Sequence, residues 1–188
     1  QHRLGELRAA AGKDADNINF HLFNNAADIL PTHNATARRT FMDVLQRRGV
    51  NLHLGEPVTQ VSPGLLKTGS GAEVAADEIL WVTAAGAPSW PGEAGLDVDD
   101  GGFIKVGDTL QSTSHPEVYA AGDVAAMVNY PRPKSGVFAV RQGKPLEQNL
   151  RRALLGRTQR PFRPQKNFLG LISTGDKFAV ASRGNWSV

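Results

Sequence analysis

Apolar and polar residues alternate from Ile18 to Phe23, the period-two signature of a strand. Leu30-Pro31-Thr32-His33-Asn34 breaks that pattern and offers two N-caps, Thr32 and Asn34. Ala37, Phe41, Val44, Leu45 and Arg48 then keep the i, i+4, i+7 rhythm of an amphipathic helix. Gly49 stands where a left-handed cap belongs, and Val50 to Leu54 is the next strand. Strand, helix, strand predicts one βαβ unit with parallel strands. Ahead of it, Leu4, Leu7 and Arg8 have helical spacing that closes at Ala9-Ala10-Ala11-Gly12. This stretch has no apolar core or cleavage site of a signal peptide and no Met. It reads as a helix entered midway, with further sequence expected upstream.

The texture changes after Gly55. Pro57 to Val61, Gly64 to Thr68 and Ala72 to Ala76 predict a small antiparallel meander, with Gly69-Ser70-Gly71 as a hairpin turn. Asp77 to Thr83 predicts a buried strand ending at Ala84-Ala85-Gly86-Ala87-Pro88. Trp90-Pro91-Gly92 reads as a linker at a domain boundary. Beyond it, Phe103 to Val106 and Val118 to Ala121 are strand candidates, joined by a polar connection from Thr109 to Pro116. Ser135 is placed to cap a long helix reaching about Leu154, with Val137, Val140, Leu146, Leu150 and Leu154 expected near one face and Gly156 at its end. Phe168 to Ser173 and Lys177 to Ala181 predict two strands around a Thr174-Gly175-Asp176 turn.

Composition narrows the chemistry. The 188 residues suffice for one substantial domain or two small ones, and their 40% apolar and 21% charged content is that of a globular protein. No apolar run is long enough to span a bilayer. With no cysteine, the chain has no disulfide, thiolate metal site or cysteine nucleophile, which fits a reducing compartment. The net charge of +3 is unevenly spread: ten of the basic residues lie between Arg132 and Lys166, where Glu147 is the one acid. Such an excess attracts phosphates, nucleic acid or an anionic membrane, or simply solvates a helix face and a loop. His21 and His53 fall on neighbouring predicted strands without a third ligand at metal spacing, so packed or half-exposed histidines are expected there.

The stretch that carries chemistry runs from Ser112 to Ala125, through Val118-Tyr119-Ala120-Ala121-Gly122-Asp123. Small residues at a strand's end let a ligand approach the backbone. The Asp123 carboxylate accepts hydrogen bonds from hydroxyls, and an uncapped helix N-terminus attracts anions. The bland alternative is a strand ending in a turn that Asp123 caps. This stretch, preceded by Ile79-Leu80-Trp81-Val82-Thr83-Ala84-Ala85-Gly86-Ala87-Pro88, resembles the second flavin motif and the nicotinamide-domain closing strand of the pyridine nucleotide-disulfide oxidoreductase superfamily. Pro131 to Gly143 is similar to type II NADH dehydrogenases and their sulfide:quinone reductase relatives. The last third resembles flavoproteins associated with selenide, water dikinase.

The resemblance implies an α/β chain holding part of a two-dinucleotide-binding-domain flavoprotein fold, with Rossmann-like βαβ segments and an antiparallel meander. Residues 1–92 would be the later part of an NAD(P) domain, 93–155 the resumed carboxyl-terminal half of an FAD domain, and 156–188 an interface segment. It implies FAD and NAD(P)H as cofactors. Gly122, Asp123 and Val124 would lie at the ribityl–diphosphate region, and Lys134, Ser135, Gly136 and Val137 at the helix end beside the flavin. Ala84, Ala85 and Gly86 would form the turn beside the nicotinamide nucleotide. No residue stands out as a catalytic acid, base or nucleophile. A fragment of an FAD-dependent enzyme carrying electrons from NAD(P)H to a quinone or other small acceptor follows. So do a cytoplasmic protein touching the membrane's inner face, a homodimer, and no nucleic-acid partner. Departures are plain. Both diphosphate-binding G-x-G-x-x-G turns are absent, and Asn24 and Asn25, with Asp28 beyond, stand where a NAD-selecting carboxylate is expected. The alternative is a non-catalytic module docking through segment 132–166 on a membrane or partner protein.

Overall fold

The computed structural model describes residues 2–12, 18–83 and 85–188. In chain order its helices are α1 (His2–Ala10), α2 (Ala35–Arg47), α3 (Trp90–Glu93) and α4 (Gly136–Leu154). Its strands are β1 (Phe20–Asn24), β2 (Val50–Leu54), β3 (Val58–Ser62), β4 (Leu65–Thr68), β5 (Glu73–Ala75), β6 (Ile104–Val106) and β7 (Ala125–Met127). β8 (Gly170–Ser173), β9 (Ala179–Arg183) and β10 (Trp186–Ser187) complete them. Two compact units result: residues up to Leu80 together with Asn167–Val188, and Trp81–Lys166.

In the first unit, β1 and β2 pair in parallel from Phe20↔Val50 to Asn24↔Leu54. The connecting helix α2 buries Ala37, Phe41 and Val44. Of the two candidate caps, Asn34 does the work, its Oδ1 accepting from Ala37 N at 2.9 Å. Its Nδ2 donates to Gly184 O and Trp186 O, and Ser187 Oγ donates to its Oδ1. One amide therefore ties the start of α2 to the β9–β10 hairpin. The meander β3-β4-β5 is antiparallel, with Gly71 at φ +87° in the turn where only glycine sits without strain. The tail forms the antiparallel sheet β8-β9-β10, and Val180 and Ile172 pack with Ile29, Ala37 and Phe41.

The second unit is organised around the parallel pair β6 and β7, whose core is Ile104, Val106, Leu110, Ala120, Ala125 and Met127. Four local expectations are corrected. Asp77 to Thr83 is not a buried strand: Leu80 is 89% and Val82 90% exposed, and among the described residues no ladder takes this run up. An apolar run becomes a strand only when a neighbour accepts its backbone bonds. Trp90-Pro91-Gly92 is the single turn of α3 rather than an open linker, with Pro91 buried. Val118 to Ala121 is not a strand beyond one bridge, Gln111↔Tyr119; the ladder partner of β6 is β7, which begins two residues after Asp123. α4 also turns a different side inward. Phe138, Gln142 and Asn149, at i, i+4 and i+11, are buried, whereas Val140 is 81% and Leu154 88% exposed.

Candidate functional site

A cleft of about 300 Å³ opens in the second unit between the end of β7 and the start of α4. Its floor is made by the turn where the chain passes from Ala121, extended at φ −145°, into a 3-10 turn, Gly122–Val124. Gly122 sits at φ +77°, a left-handed conformation that an L side chain rarely adopts. A Cβ there would meet Ala139 Cβ at 3.5 Å, so the glycine is required by the backbone more than by the space. Its N–H donates to Gln142 Oε1 inside α4. The buried Gln142 thus locks the turn onto the helix, and Asp123 is left exposed on the cleft wall.

Lys134 closes the opposite wall. Its Nζ donates to Ala125 O at 2.7 Å and stands 3.8 Å from the centre of the Phe103 ring. Burial lowers its pKa, while Asp99 and Asp123 pull the other way. Asp99 is fixed in turn, accepting from Gly101 N and Phe103 N. Ser135 occupies the N-cap of α4, yet its side chain makes no cap bond. The Ser135 hydroxyl therefore does not satisfy the first amides of the helix, the end of a helix that attracts anions.

Of the residues singled out in the sequence, Gly122, Asp123, Lys134 and Ser135 line this cleft together. Val124 packs against the core, and Gly136 and Val137 form the first turn of α4 behind the wall. Ala85 and Gly86 are exposed and do not line it; Ala84 lies outside the described residues. Gln142, Asp99 and Phe103 escaped the sequence reading. A signal for Gln142 was there: Ser135, Phe138, Ala139 and Gln142 follow i, i+3, i+4, i+7 and all line the cleft. Asp99 and Phe103 carry no such signal, because a loop places them. In the other unit, His21 Nδ1 and His53 Nε2 come within 3.0 Å, with Phe23 stacked on His53 at 4.1 Å. Among the described residues no three ligands gather around a metal position.

The profile of one family, described as pyridine nucleotide-disulphide oxidoreductase, matches residues 5–143. The chain belongs to that family. A type II NADH:quinone oxidoreductase of Haemophilus influenzae is 28% identical over 116 residues, which is 61% of this chain and 26% of that relative. The chain thus spans about a quarter of the relative's length. Among solved structures, an FAD-dependent pyridine nucleotide-disulphide oxidoreductase from Desulfovibrio vulgaris superposes with a TM-score of 0.68 at 21% identity, covering 89% of this chain and 43% of that one. A water-forming NADH oxidase from Lactobacillus brevis, bound to NADH, gives 0.68 at 22% identity, covering 97% and 40%. At these identities the solved structures carry the α/β flavoprotein-type fold.

Proposed function

We propose that this chain is the later portion of an FAD-dependent oxidoreductase that takes electrons from NAD(P)H and delivers them to a quinone or another small acceptor. The observation that carries the reading is the convergence of Gly122, Asp123, Lys134 and the uncapped start of α4 on one cleft within a family-matched segment. The groups present suit a ribityl–diphosphate chain. Asp123 accepts from sugar hydroxyls, the Ser135 hydroxyl at the start of α4 is free of a cap bond and offers a donor to an anionic oxygen, and small residues such as Ala125, Ala126 and Ala139 leave the backbone approachable. Flavin, when bound, supplies the two-electron chemistry. Lys134 holds a positive charge at the cleft wall and disperses charge that builds on the ligand edge facing it.

In this reading residues 1–92 belong to the NAD(P) domain, 93–155 to the FAD domain and 156–188 to an interface segment that supports a homodimer. Ala84, Ala85 and Gly86 form the turn beside the nicotinamide nucleotide. A quinone acceptor resides in a bilayer, which puts the protein at a membrane's inner face; among the described residues no helix is long and apolar enough to cross one. The test is colour. The full-length gene product is expected to be yellow and to bleach when NADH or NADPH is added. A colourless product that takes up no FAD overturns the proposal. The 188-residue chain alone is expected to hold FAD weakly, since it contains neither diphosphate-binding glycine turn.

A further inference from the structure

After α4 the chain turns at Gly156, φ +63°, and continues for ten residues without helix or strand to Lys166. Two prolines, Pro161 and Pro164, punctuate this segment. Its burial has a three-residue period. Arg157, Arg160, Arg163 and Lys166 are all exposed, whereas Gln159, Phe162 and Gln165 are all partly buried. A period of three is the repeat of a polyproline II helix, which rises about 9 Å per turn. The segment is pinned from within: Arg160 N donates to Asn149 Oδ1 at 2.9 Å, Phe162 N donates to Asp108 O at 2.7 Å, and Phe162 packs on the core. Four exposed cations therefore recur at every third residue along it.

The end of α4 adds to this row. Leu154 is 88% and Leu155 57% exposed, and Arg151 and Arg152 precede them. From Arg151 to Lys166 there are six basic residues and no acid. A row of cations alone fits any polyanion. Two bared leucines at its head do not help bind a phosphate backbone, but they suit acyl chains beneath a layer of phosphates.

We propose that the arginine row from Arg157 to Lys166, together with Leu154 and Leu155, is a docking edge for an anionic phospholipid bilayer. The leucine pair enters the headgroup boundary and the row lies along the lipid phosphates. This deepens the quinone reading by giving the protein's membrane contact a molecular element. Each cation near an anionic leaflet multiplies binding about fivefold, and each leucine that leaves water adds about tenfold.

The experiment is co-sedimentation of the chain with vesicles of mixed phosphatidylglycerol and phosphatidylcholine, against vesicles of phosphatidylcholine alone. Binding is expected to the first and not the second, and to weaken with salt. A triple change, Arg157→Glu with Arg160→Glu and Arg163→Glu, is expected to abolish it. Leu154→Asn with Leu155→Asn is expected to reduce it about a hundredfold while leaving the far-ultraviolet circular dichroism unchanged, because Leu154 is almost wholly and Leu155 more than half in water. No binding to anionic vesicles overturns the proposal. So does binding that the leucine variant leaves intact, or single-stranded DNA competing equally for wild type and leucine variant, which would mark a general polyanion edge. Vesicle binding needs no flavin. Failure here leaves the oxidoreductase reading standing, and a docking protein without flavin sinks only that reading.

Discussion

Asn149 is 0% exposed, and its amide holds α4 to two loops of the second unit. Its Nδ2 donates to Thr109 O at 3.0 Å and Arg160 O at 2.9 Å, while its Oδ1 accepts from Arg160 N at 2.9 Å. Asn149→Leu keeps the approximate volume and strands two carbonyls and one N–H. Three such losses cost about 3 kcal/mol. Apolar burial of the leucine offsets about 1 kcal/mol, leaving about 2 kcal/mol. Amide hydrogen exchange reads this directly: protection in α4 and at Arg160 is expected to fall roughly 30-fold, with α2 in the other unit unchanged. Asn149→Asp refines the test. Its carboxylate still accepts from Arg160 N but faces two carbonyl oxygens, so that variant is expected to be weaker at neutral pH and to recover on acidification, when the protonated acid can donate to one of them. Unchanged protection in α4 for the leucine variant, or an equal loss in α2, would refute the reasoning.

Other expected outcomes rest on separate contacts. Asn34→Ala removes the cap of α2 and its four links to the β9–β10 hairpin, and should lower the stability of the first unit by about 2 kcal/mol in urea titration. The Asp176 carboxyl accepts from Thr174 Oγ1 and from Arg48, which hold its pKa down to about 2. A depressed carboxyl stabilises above its unfolded value near 4 and loses that contribution as pH falls towards 2. Asp176→Asn should therefore flatten the acid limb of the stability profile in that window, and an unchanged limb would assign the loss to other groups. Gly122→Ala puts a side chain at φ +77° and should cost about 1 kcal/mol by thermal unfolding. The same change in the full-length gene product should lower FAD retention, since the floor of the cleft moves.

Local chemistry determined a large part of this protein from its sequence alone. The period of α2, the caps at Asn34 and Gly49 and the alternation of β1 and β2 specify a βαβ unit, because each is a short-range preference satisfied within a few residues. The glycine–aspartate pair and the helix behind Ser135 were legible for the same reason. Tertiary structure decided the rest. Leu80 and Val82 read as a buried strand, but burial depends on a partner that lies elsewhere in the chain's folding, not on the run itself. The inward side of α4 is set by Gln142 and Asn149, two polar residues that hydrophobic periodicity passes over and that only main-chain atoms brought from distant loops can satisfy. Charge counting finds the basic excess up to Lys166 but not which of its residues face solvent from Arg157 onward, because that is fixed by where Asn149 and Asp108 anchor the backbone.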